Sequence, residues 1–165
     1  MKKLKIVCYF LILVCFVCSL SSCGLVAQSK LKDTKWRVEY GLESDEVDED
    51  IAKNVIGFME WEFTGDSYPY VTGDGYFLNI SEGYEFSSQF LDDIEQSGLD
   101  KSTFTGEYTT CSGWWKATNL DEIFVNVPAA GHSRETLQIE LDSKNGTLRI
   151  YNESGDPIEL TLVED

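Results

Sequence analysis

The C-terminal stretch Leu137-Gln138-Ile139-Glu140-Leu141, Asn145-Gly146, Leu148-Arg149-Ile150, Ser154-Gly155-Asp156-Pro157 and Ile158-Glu159-Leu160-Thr161-Leu162 decides the fold class. Apolar residues occupy alternate positions, with polar or charged residues between them. Successive side chains on a strand face opposite ways, so each run buries one face and wets the other, as in antiparallel sheets. Asn145-Gly146 lies between two such runs. Both residue types tolerate positive φ, which predicts a hairpin turn there. Ser154 to Pro157 predicts the next turn.

The same period extends towards the N-terminus. Trp36, Val38 and Tyr40 alternate with Arg37 and Glu39, and Met59, Trp61 and Phe63 alternate with Glu60 and Glu62. Ile123, Val125 and Val127 share a face. Aromatic-rich stretches at Tyr68–Val71, Tyr76–Ile80 and Phe104–Tyr108 predict further strands, the first two joined by a turn at Gly73-Asp74-Gly75. One helix is expected near 87–97: Ser87 or Ser88 caps it, Phe90, Leu91 and Ile94 form its apolar stripe, and Gly98 ends it. The fold class is therefore all-β. An antiparallel meander of about eight to ten strands with one short helix closes into a small barrel or packs as a β-sandwich.

The N-terminus reads differently. Lys2, Lys3 and Lys5 precede Ile6 to Leu20, a run in which Ser19 is the only residue that is not apolar. The run is shorter than the roughly 20 residues a membrane-spanning helix needs and has the form of a secretory signal. It ends in Leu20-Ser21-Ser22-Cys23, which resembles the lipobox of bacterial lipoproteins. The resemblance implies cleavage before Cys23, attachment of a diacylglycerol to its thiol and acylation of the new N-terminus. The alternatives are an uncleaved anchor helix or an ordinary signal peptide. Residues 1–22 are thus expected to be a signal peptide, 23–30 the lipidated cysteine with a short tether, and 31–165 a single β domain. Gly24 is not the aspartate that retains some lipoproteins in the inner membrane, and Leu25 to Lys30 hold no acidic cluster. The expected location is the outer membrane, facing the periplasm.

Removing the signal leaves Cys23 and Cys111 of five cysteines, so the mature chain has no disulfide framework. It also removes three lysines and no acid, which takes the net charge from -16 to about -19. Such a field repels nucleic acid and anionic headgroups, leaving the lipid as the membrane attachment. The densest acidic run, Leu42 to Asp50, lacks the glycine and the alternate spacing of a calcium loop and reads as a solvated loop.

Leu31 to Val38, Trp61-Glu62-Phe63-Thr64-Gly65-Asp66, Phe104-Thr105-Gly106-Glu107-Tyr108 and the terminal strand pair follow the lipobox in an order that resembles the small lipocalin-like lipoproteins of Gram-negative bacteria. The chain departs from that pattern at Lys35, which stands where a glycine commonly precedes the tryptophan. It also carries the acidic insert and the helix. The resemblance implies a lipocalin-like barrel and no particular activity.

Chemistry is sparse. His132, the only histidine, lies in Ala129-Ala130-Gly131-His132-Ser133-Arg134 and reads as a surface-loop residue. Carboxylates are abundant, yet no pair stands out for glycoside hydrolysis. The chain reads as no enzyme, with no cofactor and no metal. Trp114-Trp115 on a strand must face opposite ways. Together with Tyr70 and Tyr76 they form the candidate aromatic platform for an apolar or sugar ligand. The functional expectation is a lipid-anchored binding or interaction module of the cell envelope. The alternative is a non-catalytic accessory subunit of an outer-membrane complex, and a carboxylate-dependent glycan hydrolase is the outlier. The anchor has a direct test: Cys23→Ala should abolish incorporation of labelled palmitate and leave an uncleaved or soluble form, and unchanged labelling would refute lipidation at Cys23.

Overall fold

The computed structural model describes residues 24–41, 52–69, 71, 75–151 and 155–164. Eight strands follow one another: β1 (Thr34–Gly41), β2 (Val55–Ser67), β3 (Tyr76–Phe86), β4 (Glu107–Ala117), β5 (Glu122–Val127), β6 (His132–Asp142), β7 (Thr147–Tyr151) and β8 (Pro157–Leu162). Each pairs antiparallel with the next, and β1 pairs with β8 at Trp36↔Leu162 and Arg37↔Thr161. The sheet closes as a barrel, not as a sandwich. Residues 24–31 form a helix, α1, and Ser88–Gln96 form a second, α2.

The period-two residues fill the interior. Trp36 lies opposite Trp61, Trp61 opposite Ile80, Tyr76 opposite Trp115, and Trp115 opposite Val125. Trp61, Phe63 and Trp115 are wholly buried, with Phe63 edge-on to Trp115 at 5.1 Å between ring centroids. Leu78, Ile123, Leu137, Ile139, Leu148, Ile150 and Leu160 continue the same cluster across the barrel. A small eight-stranded barrel has an interior that side chains can fill, and here large aromatics fill it. The Trp36 indole donates to Thr34 Oγ1 at 2.7 Å, while the buried indole N–H groups of Trp61 and Trp115 have no protein acceptor.

The expected tether is partly a structural element. Within 24–31, Ala27 and Leu31 stand one turn apart and are both buried, closing the end of the barrel where β1 starts and β4 ends. Gln28 donates to the Tyr76 hydroxyl at 2.7 Å, and Thr34 Oγ1 donates to the Leu31 carbonyl. The spacing of Ala27 and Leu31 is helical and apolar, a signal too short to read as an amphipathic stripe. Cys23 lies outside the described residues, as do the signal segment and the acidic run Leu42 to Asp50.

Helix α2 forms as its cap signals indicate. The Ser87 side chain accepts from Phe90 N at 3.3 Å, and Gly98 takes φ 81° beyond the C-cap. Phe90 stacks on Phe86 at 5.2 Å and meets Phe104 edge-on at 5.5 Å, which holds the helix against the far end of β3.

Two strand expectations change, and the predicted β6–β7 hairpin forms with its turn at residues 143–146. Asp142 pairs with Thr147, and the Asp142 carboxylate closes the loop by accepting from Lys144 N, Asn145 N and Asn145 Nδ2. Only Gly146 takes positive φ there. Those hydrogen bonds hold the Asp142 carboxyl below the usual carboxylate range. In the Tyr68–Val71 stretch the described residues, Tyr68, Pro69 and Val71, lie outside any strand. β2 runs on to Ser67, and Pro69, which has no N–H to donate, follows two residues later. In the Phe104–Tyr108 stretch only Glu107 and Tyr108 join a strand.

Because the strand sends them to opposite faces, Trp114 and Trp115 should respond differently to truncation. Trp115→Ala and Trp36→Ala should each lower the unfolding free energy by about 3–5 kcal/mol. Trp114→Ala should cost only about 1 kcal/mol, from its stacking on Phe124. Equilibrium denaturation reads all three, and equal losses at Trp114 and Trp115 would contradict this placement.

Candidate functional site

Of the four aromatics expected to form one platform, the three described ones, Trp114, Trp115 and Tyr76, do not share one surface. Trp115 is sealed in the core. Tyr76 sits half-buried at the plugged end, its ring 5.7 Å from Trp115, its hydroxyl held by Gln28 and the Lys32 ammonium 5.1 Å from its ring centroid. Trp114 is on the outer wall, stacked on Phe124 at 5.2 Å with 24° between the planes. Tyr70 lies outside the described residues.

The groove on the outer wall of β1–β4 is a better site. It encloses about 510 Å³ and is lined by Lys35, Arg37, Phe58, Glu60, Glu62, Ser81, Tyr84, Glu85, Thr105, Gly106, Tyr108 and Thr110. Phe58 forms its floor. This residue is out of phase with Met59, Trp61 and Phe63, so it lies on the outer face, yet it is only 6% exposed. Two neighbours cover it. The Arg37 guanidinium sits over its ring, 4.2 Å from the centroid, and Tyr108 lies tilted beside it at 6.2 Å. Tyr108 itself is 67% exposed and offers a free aromatic surface.

Glycine makes room for that tyrosine. Gly83 pairs directly with Tyr108, and a Cβ at position 83 would fall 2.2 Å from the Glu107 carbonyl and 2.6 Å from Tyr108 Cβ. No other residue lets the two strands approach so closely.

Polar groups ring the floor in fixed positions. Arg37 Nε donates to Glu39 at 3.0 Å, and its Nη2 donates to Glu85. Lys35 Nζ lies 3.4 Å from Glu60. Asn79 Nδ2 donates to Glu62 at 2.8 Å and its oxygen accepts from Ser112. Ser81 and Thr110 share a hydrogen bond of 2.8 Å. The groove therefore offers an aromatic face, two cations, three carboxylates and the hydroxyls of Ser81, Thr105 and Thr110. Its carboxylates are each engaged by a cation or an amide, an arrangement suited to holding polar groups.

The barrel end opposite α1 holds the second cluster. His132 is not a surface-loop residue but the first residue of β6. Gly131 at φ 85° turns the chain after Pro128–Ala130 and folds His132 back over the barrel. Its ring is 5.0 Å from that of Trp61, and Nδ1 is 2.6 Å from Glu135 Oε1. Nearby, Tyr40 covers Gly57, and burial together with the Glu82 carboxylate pushes its hydroxyl up from the ordinary tyrosine value. A carboxylate beside an imidazole orients it. Cys111 faces inward on β4 as a half-buried packing residue.

Sequence reasoning missed the groove because its floor breaks the pattern. The one usable signal was Phe58 among Glu60 and Glu62 on the polar face of β2. Among the described residues no helix is long and apolar enough to cross a membrane. Compared with known proteins, the chain matches no family model, no curated protein and no solved structure.

Proposed function

We propose that this chain is a lipid-anchored, non-catalytic binding module of the bacterial outer membrane, facing the periplasm, and that it binds in the groove on its outer wall. The filled interior carries this reading. Trp36, Trp61, Phe63 and Trp115 occupy the described interior as one packed cluster, which favours recognition on the surface over a ligand of the usual lipocalin kind. The ligand class follows from the lining. Tyr108 presents an aromatic face to the C–H face of a sugar ring, and its π-cloud attracts such weakly positive edges. Ser81, Thr110, Lys35 and Glu60 stand around it as hydrogen-bonding partners for ring hydroxyls. A net charge near -19 repels anionic glycans. The proposed ligand is a neutral or amino-bearing saccharide of the envelope.

The groove carboxylates fit binding better than hydrolysis, because Glu60, Glu62 and Glu85 already serve as partners of Lys35, Asn79 and Arg37. A second reading, an accessory subunit that docks protein on the same wall, draws on the same filled core and the exposed Tyr108.

Calorimetric titration with a panel of neutral and amino-bearing envelope oligosaccharides tests the proposal. Binding should fall at least tenfold in Tyr108→Ala and in Arg37→Gln, with the melting temperature of Tyr108→Ala within a few degrees of wild type because Tyr108 is exposed. No binding across the panel, or binding indifferent to Tyr108, would overturn it. Photocrosslinking from position 108 to one envelope protein in cells would favour the accessory-subunit reading instead.

A further inference from the structure

The described chain begins at the plugged end of the barrel, and that end is more apolar than a water-facing surface requires. On α1, Ala27 and Leu31 turn inward, so the helix presents Leu25 and Val26 outward, 59% and 43% exposed. Gly24 lies against the β4–β5 turn: a Cβ there would sit 3.4 Å from the carbonyl oxygens of Ala117 and Thr118. The same tight turn, closed by Thr118 N and Asn119 N on the Glu122 carbonyl, carries Leu120, which is 52% exposed. Half of the large exposed apolar residues among those described thus gather around the point where the chain enters the barrel. Scattered exposed leucines need no explanation, but a cluster at one place marks a contact.

We infer that this rim is a membrane-docking surface: Leu25, Val26 and Leu120 seat in the interface between lipid headgroups and acyl chains, holding the barrel end-on to the bilayer. The inference rests on the proposed lipidation of Cys23, one residue before Gly24. Acyl chains at that position hold the rim against the bilayer at all times, so even a small apolar area is engaged through its high effective concentration. Lys30 and Lys116, both exposed, flank the rim and can meet headgroup phosphates. The orientation also suits the charge of the body. End-on docking keeps the acidic side wall along the normal to the bilayer, where charges beyond the Debye length of roughly 10 Å no longer feel an anionic surface. The groove of β1–β4 then opens sideways.

The test uses the membrane-purified protein in a Cys111→Ser background, where an acylated Cys23 has no free thiol. Mass spectrometry first establishes the acyl chains. An environment-sensitive fluorophore is then placed at Leu120→Cys or, as the control at the opposite end, at Leu99→Cys, which is 57% exposed in the wild type. Both proteins are reconstituted in phosphatidylcholine vesicles with and without lipids spin-labelled near the headgroup. The expected result is blue-shifted emission at 120, quenched several-fold more than at 99. Acylated protein with water-like, unquenched emission at 120 would overturn docking while leaving the anchor intact. Protein without acyl chains would overturn the anchor and docking with it. A blue shift at 120 in the unlipidated mature chain without vesicles would show that the rim contacts protein instead, and would also overturn docking.

Discussion

A short seam holds this barrel shut. Seven of its eight strand junctions join neighbours in sequence, but the eighth joins β1 to β8 through Trp36↔Leu162 and Arg37↔Thr161, with Val163 N donating to the Lys35 carbonyl at 2.9 Å. Closure removes both sheet edges and lets the interior face itself, which is what allows so many large aromatics to be buried at once. The seam strand β1 serves two faces. Inward it carries Trp36 into the core. Outward it carries Lys35 and Arg37, the two cations of the groove. The site and the closure of the barrel are therefore parts of one strand.

What the sequence made legible was the alternation. Period-two patterning located β1, β2, β5, β6, β7 and β8 because each runs between core and water, and Ser87 and Gly98 marked α2 because caps act locally. What it hid was every feature made by another part of the chain. Phe58 is apolar on the wrong face until Arg37 and Tyr108 arrive from neighbouring strands. His132 reads as a loop residue until Gly131 turns it onto Trp61. Asn145-Gly146 marks the β6–β7 hairpin, but not that the Asp142 carboxylate closes its turn. Residues 24–31 read as a tether because two inward residues, Ala27 and Leu31, are a weak signal until a barrel end is present to receive them.

The scarce cations are placed with economy in an acidic chain. Arg149 bridges Glu140 at 3.2 Å and Glu159 at 2.7 Å across three strands, and Arg37 bridges Glu39 and Glu85. Exposed pairs of this kind add little to stability individually. Their effect is local neutralisation: each guanidinium offsets two carboxylates that stand two strands apart in the sheet.

Helix α1 changes how a pull from the N-terminal side reaches the body. A slack segment would uncoil and absorb it. Here residues 24–31 form a cork seated in the barrel, with Leu31 in the core and Gln28 donating to the Tyr76 hydroxyl. A pull on this end is borne by the packing around Trp115 and Tyr76 before it reaches any strand. An N-terminal lipid of the kind proposed would then hold the body at a set heading rather than let it swivel.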